Sequence, residues 1–141
     1  MEAEKRQIIT VHNTIKAPVE KVWRFWTEPD HIQQWNFASD DWHTPWATSD
    51  LRPGGKFTLR MEAKDGSFGF DFSGIYNEMK VNRFLKYTIE DGREVSVTFA
   101  PDGNITHVTE TFEAEDMHTL EMQQSGWQAI LDNFKKYTEG N

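Results

Sequence analysis

The stretch Gly126-Trp127-Gln128-Ala129-Ile130-Leu131-Asp132-Asn133-Phe134 decides how the rest of the chain is interpreted. Its large apolar residues recur at i, i+3, i+4 and i+7 and therefore share one face of a helix. These residues are Trp127, Ile130, Leu131 and Phe134. The pattern predicts one long closing helix, from about Met117 to Thr138, that is anchored to a sheet by this face.

A second stripe on the same helix consists of Met122, Gly126 and Ala129, which are mostly small. Glycine in a helix interior costs about 1 kcal/mol relative to alanine, so Gly126 needs a reason. Close approach of another element is one explanation, and room for a ligand is the other. Small residues at positions where the helix should fill space favour a cavity beside it.

The segments before this helix alternate between apolar and polar residues, as strands do. Residues 7–15 predict a first strand, and two short helices follow, the first beginning near Pro18. Five further alternating segments come after residue 50. Three of the turns that separate these segments are Asp-Gly pairs, which are strong hairpin signals: Asp65-Gly66, Asp91-Gly92 and Asp102-Gly103. We therefore expect an α+β protein with about six or seven antiparallel strands.

The dimensions of these elements also favour a hollow. A helix of about 21 residues spans roughly 30 Å but covers a strip only about 10 Å wide. Six or seven strands spaced at about 4.8 Å form a much wider sheet. The sheet must therefore curl around the helix, and the two short helices must close one end.

Composition limits the classes of function. The 141 residues suffice for one domain, 1–141, and they include no cysteine, six tryptophans and ten phenylalanines. The formal charge is −8, without a basic cluster, which disfavours nucleic acids and anionic membranes as partners. No segment predicts a membrane span or a signal peptide, so a cytoplasmic protein is expected.

Residues 36–49 show no regular period and carry Phe37, Trp42 and Trp46. Irregular segments of this length are often functional in compact domains. We interpret this segment as a loop that gates the cavity, with Trp42 and Trp46 as its lid. Asp40, Asp41 and His43 lie too close together for a confident metal site, so no metal is expected.

Several segments resemble the START-like (SRPBCC) superfamily, and more narrowly the homologues of the activator of heat-shock-protein-90 ATPase. The most specific is Asp50-Leu51-Arg52-Pro53-Gly54-Gly55-Lys56-Phe57. The others are residues 17–23, residues 26–29, Gln34-Trp35, residues 72–78 and residues 126–131. The resemblance implies the helix-grip fold, in which a curved antiparallel sheet wraps around a long C-terminal helix. It also implies an apolar cavity that holds small hydrophobic molecules and, in some members, performs cyclisation or dehydration.

Glu110 is the candidate for chemistry, with Tyr76 as its companion. Strand alternation places Val108, Glu110 and Phe112 on one face, which we expect to be the cavity face. A carboxyl group there would be desolvated and its pKa raised, as a general acid or base requires. A bulge that turns Glu110 outward, or a buried partner, is the alternative.

The expected cavity lining combines inward strand positions, loop aromatics and one face of the closing helix. It comprises Asn13, Trp35, Trp42, Trp46, Phe57, Leu59, Phe70, Phe72, Tyr76, Tyr87, Val97, Glu110, Met122, Gly126, Trp127 and Ile130.

Three functions follow from these observations. The first is binding of a small hydrophobic or amphipathic molecule, without a cofactor, by a monomer or homodimer. The second is a cyclase- or dehydratase-like enzyme that uses Glu110. The third, suggested only by the family's name, is an interaction module that stimulates a chaperone ATPase. Hydrolase elbows, zinc motifs, phosphate loops and dinucleotide fingerprints are absent from the sequence.

Overall fold

The structure, a computed structural model, describes residues 6–141. Its elements in chain order are β1 (Ile8–Ile15), α1 (Val19–Thr27), α2 (Pro29–Ile32), β2 (Trp42–Ser49), β3 (Lys56–Ala63), β4 (Gly69–Lys80), β5 (Phe84–Ile89), β6 (Glu94–Asp102), β7 (Ile105–Glu113) and α3 (Leu120–Gly140). Seven strands, two short helices after the first strand and one long closing helix agree with the architecture predicted from the sequence.

All seven strands form one antiparallel sheet in the order β1-β7-β6-β5-β4-β3-β2. The first strand of the chain thus pairs with the last, and the remaining strands follow as a meander. Each predicted Asp-Gly pair lies at a hairpin turn, where its glycine adopts a positive φ. The sheet curves around α3, so the predicted helix-grip fold is confirmed.

Helix α3 begins at Leu120, three residues later than the predicted start at Met117. The Thr119 side chain fixes this start, because its hydroxyl oxygen accepts a hydrogen bond from the Met122 N–H at 3.1 Å. The Gln123 amide donates to the carbonyl oxygens of Glu115 and His118, at 3.1 and 2.9 Å. These bonds hold residues 115–118 in a turn before the helix.

Polar side chains of α3 run along the outer edge of β1 and bond its free backbone groups. The Gln128 amide oxygen accepts from the His12 N–H at 3.4 Å, and its nitrogen donates to the His12 carbonyl at 3.1 Å. Gln124 and Lys135 likewise donate to the backbone carbonyls of Thr10 and Thr14. The Glu139 carboxylate accepts from the Lys16 N–H. The helix therefore takes the place of a neighbouring strand and blocks this edge of the sheet.

The segment 36–49 is not the irregular gate that the sequence suggested, because residues 42–49 form the edge strand β2. The pairing of β2 with β3 shifts register between His43 and Trp46. This irregularity, together with Pro45, interrupts the alternation by which a strand is recognised. Proline is tolerated here because β2 lies at the edge of the sheet.

The C-terminal half of α3 packs directly onto the core. Leu131 and Phe134 are fully buried. The indoles of Trp26 and Trp35 meet the Phe134 ring edge to face, with centroids 4.8 and 4.9 Å away. Helices α1 and α2 thus close this end of the molecule. In contrast, Trp127 and Ile130, predicted as anchors with Leu131 and Phe134, are only partly buried.

Within residues 6–141, no helix combines the length and apolar character needed to cross a membrane.

Candidate functional site: a cavity under the closing helix

A cavity of about 430 Å³ lies between the N-terminal half of α3 and the inner face of the sheet. Its walls are mainly aromatic and aliphatic side chains of β3, β4, β5 and α3, with Trp26, Ile32 and Trp35 at the end formed by the short helices. The volume falls within the range of about 300–1,000 Å³ that small-molecule sites occupy. The partial burial of Trp127 and Ile130 follows from this hollow, since both border it.

Twelve of the sequence-predicted residues border the cavity. They are Trp35, Phe57, Leu59, Phe70, Phe72, Tyr76, Tyr87, Glu110, Met122, Gly126, Trp127 and Ile130.

Asn13 and Val97 lie on the inner face but do not border the cavity. The Asn13 amide donates to the Asp132 carboxylate at 2.8 Å and thereby fastens β1 to α3. Val97 is fully buried in register between Leu85 and Glu110, whose longer side chains border the cavity instead. Strand alternation correctly predicts that both side chains lie on the inner face of the sheet. It does not indicate that α3 covers Asn13, or that longer neighbouring side chains separate Val97 from the cavity.

The two loop tryptophans do not form a lid over the cavity. Trp46 is 44 % exposed on edge strand β2, opposite Arg60. Trp42 packs against Phe68 and Phe70, with ring centroids 6.0 and 6.1 Å away. Only Phe70 of this aromatic group borders the cavity.

Sequence reasoning missed several lining residues. Gln123 lies four and seven residues before Trp127 and Ile130, so helical spacing could have identified it. Met61 and Leu85 follow the alternation of β3 and β5 and could also have been found. The remaining residues missed are Trp26, Thr27, Ile32, Asn36, Arg93, Glu115 and His118, which reach the cavity from helices and turns.

Glu110 occupies the middle of β7, opposite Val11 of β1 and Val97 of β6. Its side chain points to the inner face and only 6 % of the residue is exposed. Burial raises the pKa of Glu110 from 4.5 to about 8, because the carboxylate loses its hydration. Among residues 6–141, none forms a hydrogen bond or an ion pair with its carboxyl group. The carboxyl group is therefore mostly protonated at neutral pH.

Two tyrosines border the cavity near this carboxyl group. The Tyr76 hydroxyl is 2.8 Å from the Ser49 hydroxyl, and burial raises the Tyr76 pKa above 10 while this bond opposes the rise. The Tyr87 hydroxyl has no hydrogen-bond partner within the described part of the chain. Burial raises its pKa well above 10, and the negative charge of an ionised Glu110 raises it further. Of the two tyrosines, Tyr87 is thus the one whose hydroxyl has no partner among residues 6–141 and whose pKa is raised by the charge of Glu110.

One end of the cavity is polar and its charges are paired. Arg93 lies 2.7 Å from the Asp91 carboxylate and donates to the Glu113 carbonyl at 3.1 Å. The His118 ring nitrogen is 3.0 Å from the Glu115 carboxylate. Within residues 6–141, no cationic side chain forms a salt bridge with Glu110.

Gly126 faces open space. A Cβ atom built on this residue has no atom within 4 Å apart from its immediate surroundings in the helix. The glycine is therefore not required by close packing of another element. Its lack of a side chain instead leaves room beside the helix. Gly74 of β4 is the opposite case, since a Cβ there would lie 2.6 Å from the Thr88 carbonyl oxygen and 2.9 Å from the Phe57 ring.

No three His, Asp or Glu side chains converge as metal ligands would in residues 6–141. His43 instead lies 3.7 Å from the carboxylate of Glu62 on the neighbouring strand.

Several solved structures share the fold of this chain. An AHSA1-like protein from Aeromonas hydrophila, solved by solution NMR, is 48% identical, with a TM-score of 0.89 over 95% of this chain and 93% of that chain. Protein Chr148 from Cytophaga hutchinsonii is 52% identical, with a TM-score of 0.81 over 94% and 92%. A protein from Chromobacterium violaceum, 21% identical with a TM-score of 0.83 over 96% and 99%, shares the fold.

No curated protein matches the chain significantly. The family model for Activator of Hsp90 ATPase homolog 1-like proteins matches residues 16–139. The chain therefore belongs to the Activator of Hsp90 ATPase homolog 1-like family.

Proposed function

We propose that this protein binds a small, largely apolar molecule in the cavity under α3. The observation that carries the proposal is a hollow of about 430 Å³ with mainly apolar walls, bordered by a helix glycine that faces open space. Apolar side chains that line a hollow forgo the packing contacts of a filled core. A ligand would supply those contacts.

The neutral dye N-phenyl-1-naphthylamine tests this function, because its fluorescence rises on transfer from water to an apolar site. We expect saturable binding to the wild-type protein. Gly126→Phe should weaken dye binding at least tenfold, since its ring would project into the cavity. Ser125→Phe adds the same ring at the exposed neighbouring position and serves as the matched control. Equal dye binding by both variants would contradict the proposal, as would the absence of dye binding to the wild type.

Acid–base catalysis is a second candidate, favoured by the raised pKa of Glu110 on the wall of the cavity. A general acid or base works best when its pKa lies near the ambient pH. The hydroxyketone 4-hydroxy-4-(2-naphthyl)butan-2-one tests a dehydratase, because loss of water gives a conjugated enone with a new absorbance band. Enzymatic turnover that Glu110→Gln abolishes would support catalysis. Dye binding without turnover would favour the binding function alone.

A chaperone partner is the third candidate, and the family's description is the observation behind it. Stimulation of the ATPase of purified Hsp90 by this protein would support it. We place ligand binding first because the cavity is a feature of this chain's own residues.

A further inference from the structure

Two polar side chains in the cavity lack the partners that buried polar groups normally have. Glu110 and Tyr87 are both more than nine-tenths buried, and both border the hollow. Neither side chain is hydrogen-bonded within residues 6–141, whereas the hydroxyl of nearby Tyr76 is paired with Ser49. Both side chains border the cavity, so their hydrogen-bond partners must come from the molecule that fills it.

The two groups face the same space from different strands. Glu110 lies on β7 and Tyr87 on β5, separated by β6. Tyr87 pairs with Val95 of β6, and Glu110 pairs with Val97, so the two residues are diagonal neighbours across that strand. The charge of an ionised Glu110 reaches Tyr87 strongly enough to raise the phenol's pKa. Both side chains border the same cavity, so one ligand in it can contact both groups.

We infer that Glu110 and Tyr87 form a polar subsite that binds the carbonyl oxygen of a rigid, otherwise apolar ligand, such as an aryl ketone. This inference rests on the proposed binding function and specifies the chemical class of its ligand. The carboxyl O–H and the phenol O–H each donate a hydrogen bond to the same oxygen. The aromatic walls, which include Phe57, Phe72 and Trp127, pack against the ligand's rings.

The charges around the cavity favour a neutral oxygen over an amine. Burial keeps the Glu110 carboxyl group protonated at neutral pH, because its pKa is about 8, so it acts as a donor. The other titratable groups on the cavity wall are Tyr76 on β4, Arg93 before β6, and Glu115 and His118 before α3. Arg93 is paired with Asp91, and Glu115 with His118. A cationic amine would have to lose its hydration and ionise Glu110, and both steps oppose binding.

Displacement of N-phenyl-1-naphthylamine by three matched probes tests the inference. The ketone 2-acetylnaphthalene carries the oxygen, and 2-isopropenylnaphthalene replaces it by a methylene group of similar shape. The amine 1-(2-naphthyl)ethylamine carries a cation instead. The quantity compared is the preference for ketone over alkene, taken as the ratio of their Kd values, since this ratio cancels the general apolar contribution.

Glu110→Leu and Tyr87→Phe should each reduce this preference about five- to tenfold, because each removes one hydrogen bond to the oxygen. Raising the pH from 6 to 9 should reduce the preference of the wild type similarly, as the carboxylate no longer donates. Glu110→Gln keeps an N–H donor and does not titrate, so its preference should persist at both pH values. His43→Asn changes a histidine that does not border the cavity and should follow the wild type.

An unchanged preference in both Glu110→Leu and Tyr87→Phe would overturn the subsite while leaving dye binding, and hence the proposed function, intact. Tighter binding of the amine than of the ketone would overturn the inference, because it would mean that the subsite binds a cation rather than a carbonyl oxygen. A wild-type protein that binds the dye but distinguishes none of the probes would mean that water, rather than a ligand oxygen, satisfies the pair. Failure of the dye itself to bind would overturn the proposed function and this inference together.

Discussion

The burial of Glu110 makes a quantitative prediction about stability. The pKa of this group is about 8 in the folded protein, against 4.5 for an ordinary glutamate. Between these two values the folded state holds a proton that the unfolded state has released. The stability that Glu110 contributes is therefore fully present below about pH 4.5 and is lost as the pH rises through about 8.

The size of the loss follows from the two pKa values. Each unit of difference corresponds to about 1.4 kcal/mol, so the complete loss is about 5 kcal/mol. Most of it, about 3 to 4 kcal/mol, falls between pH 5 and pH 8. This is a large fraction of the 5–15 kcal/mol that stabilises a typical domain. Glu110→Gln removes the titration and should cancel this part of the pH dependence.

Urea unfolding followed by tryptophan fluorescence at several pH values from 5 to 9 measures the effect. The free energy of unfolding of Glu110→Gln minus that of the wild type should increase with pH and level off above pH 8. Taking this difference cancels the titration of histidines common to both proteins. Glu78→Gln, which changes an exposed glutamate of β4, controls for the loss of one negative charge. A difference that stays constant across this range, or that falls with pH, would refute the reasoning from burial.

Four further predictions concern stability and use the same unfolding assay. Gly126→Ala should stabilise the protein by about 0.5–1 kcal/mol, because alanine is the better helix former and its Cβ meets open space. Gly74→Ala should instead destabilise it, since its Cβ would collide with the Thr88 carbonyl and the Phe57 ring, and a gain in stability there would contradict the close approach. Thr119→Ala should cost about 1 kcal/mol through loss of the helix cap, and Thr119→Ser should retain most of that contribution. Phe134→Ala should cost about 3–5 kcal/mol because the ring is fully buried between Trp26 and Trp35, and a loss below 1 kcal/mol would show that the site collapses.

The fold was predictable because its signals are local. The spacing of Trp127, Ile130, Leu131 and Phe134 predicts α3, and three Asp-Gly turns predict the hairpins of the meander. Strand parity alone predicts the inward direction of Glu110, which the structure shows as a buried side chain on the cavity wall. These patterns depend only on which residues are neighbours along the chain.

The errors arise where distant segments meet. Asn13 has the parity of a cavity residue, but its amide bonds Asp132, which lies 119 positions later in the chain. The strand β2 escaped detection because its bulge near Pro45 disturbs the alternation of polar and apolar residues. Tyr87 and Tyr76 have equivalent sequence patterns, and only the position of Ser49 determines which hydroxyl is already paired. Such contacts depend on how the sheet curves, and no local pattern records that curvature.

The sealing of β1 by α3 has a consequence for how the protein is made on the ribosome. Strand β1 is synthesised well before its pairing partner β7, which lies roughly 90 to 105 residues later in the chain. The side chains of α3 that cap its other edge come later still. At about 5–20 residues per second, translation of that interval takes on the order of 5 to 20 s. Throughout this time, β1 has neither strand β7 nor helix α3 to pack against. Its apolar residues Ile9, Val11 and Ile15, which are buried in the folded protein, therefore remain uncovered. Each nascent chain therefore carries an unpaired apolar strand until β7 and α3 have both been synthesised.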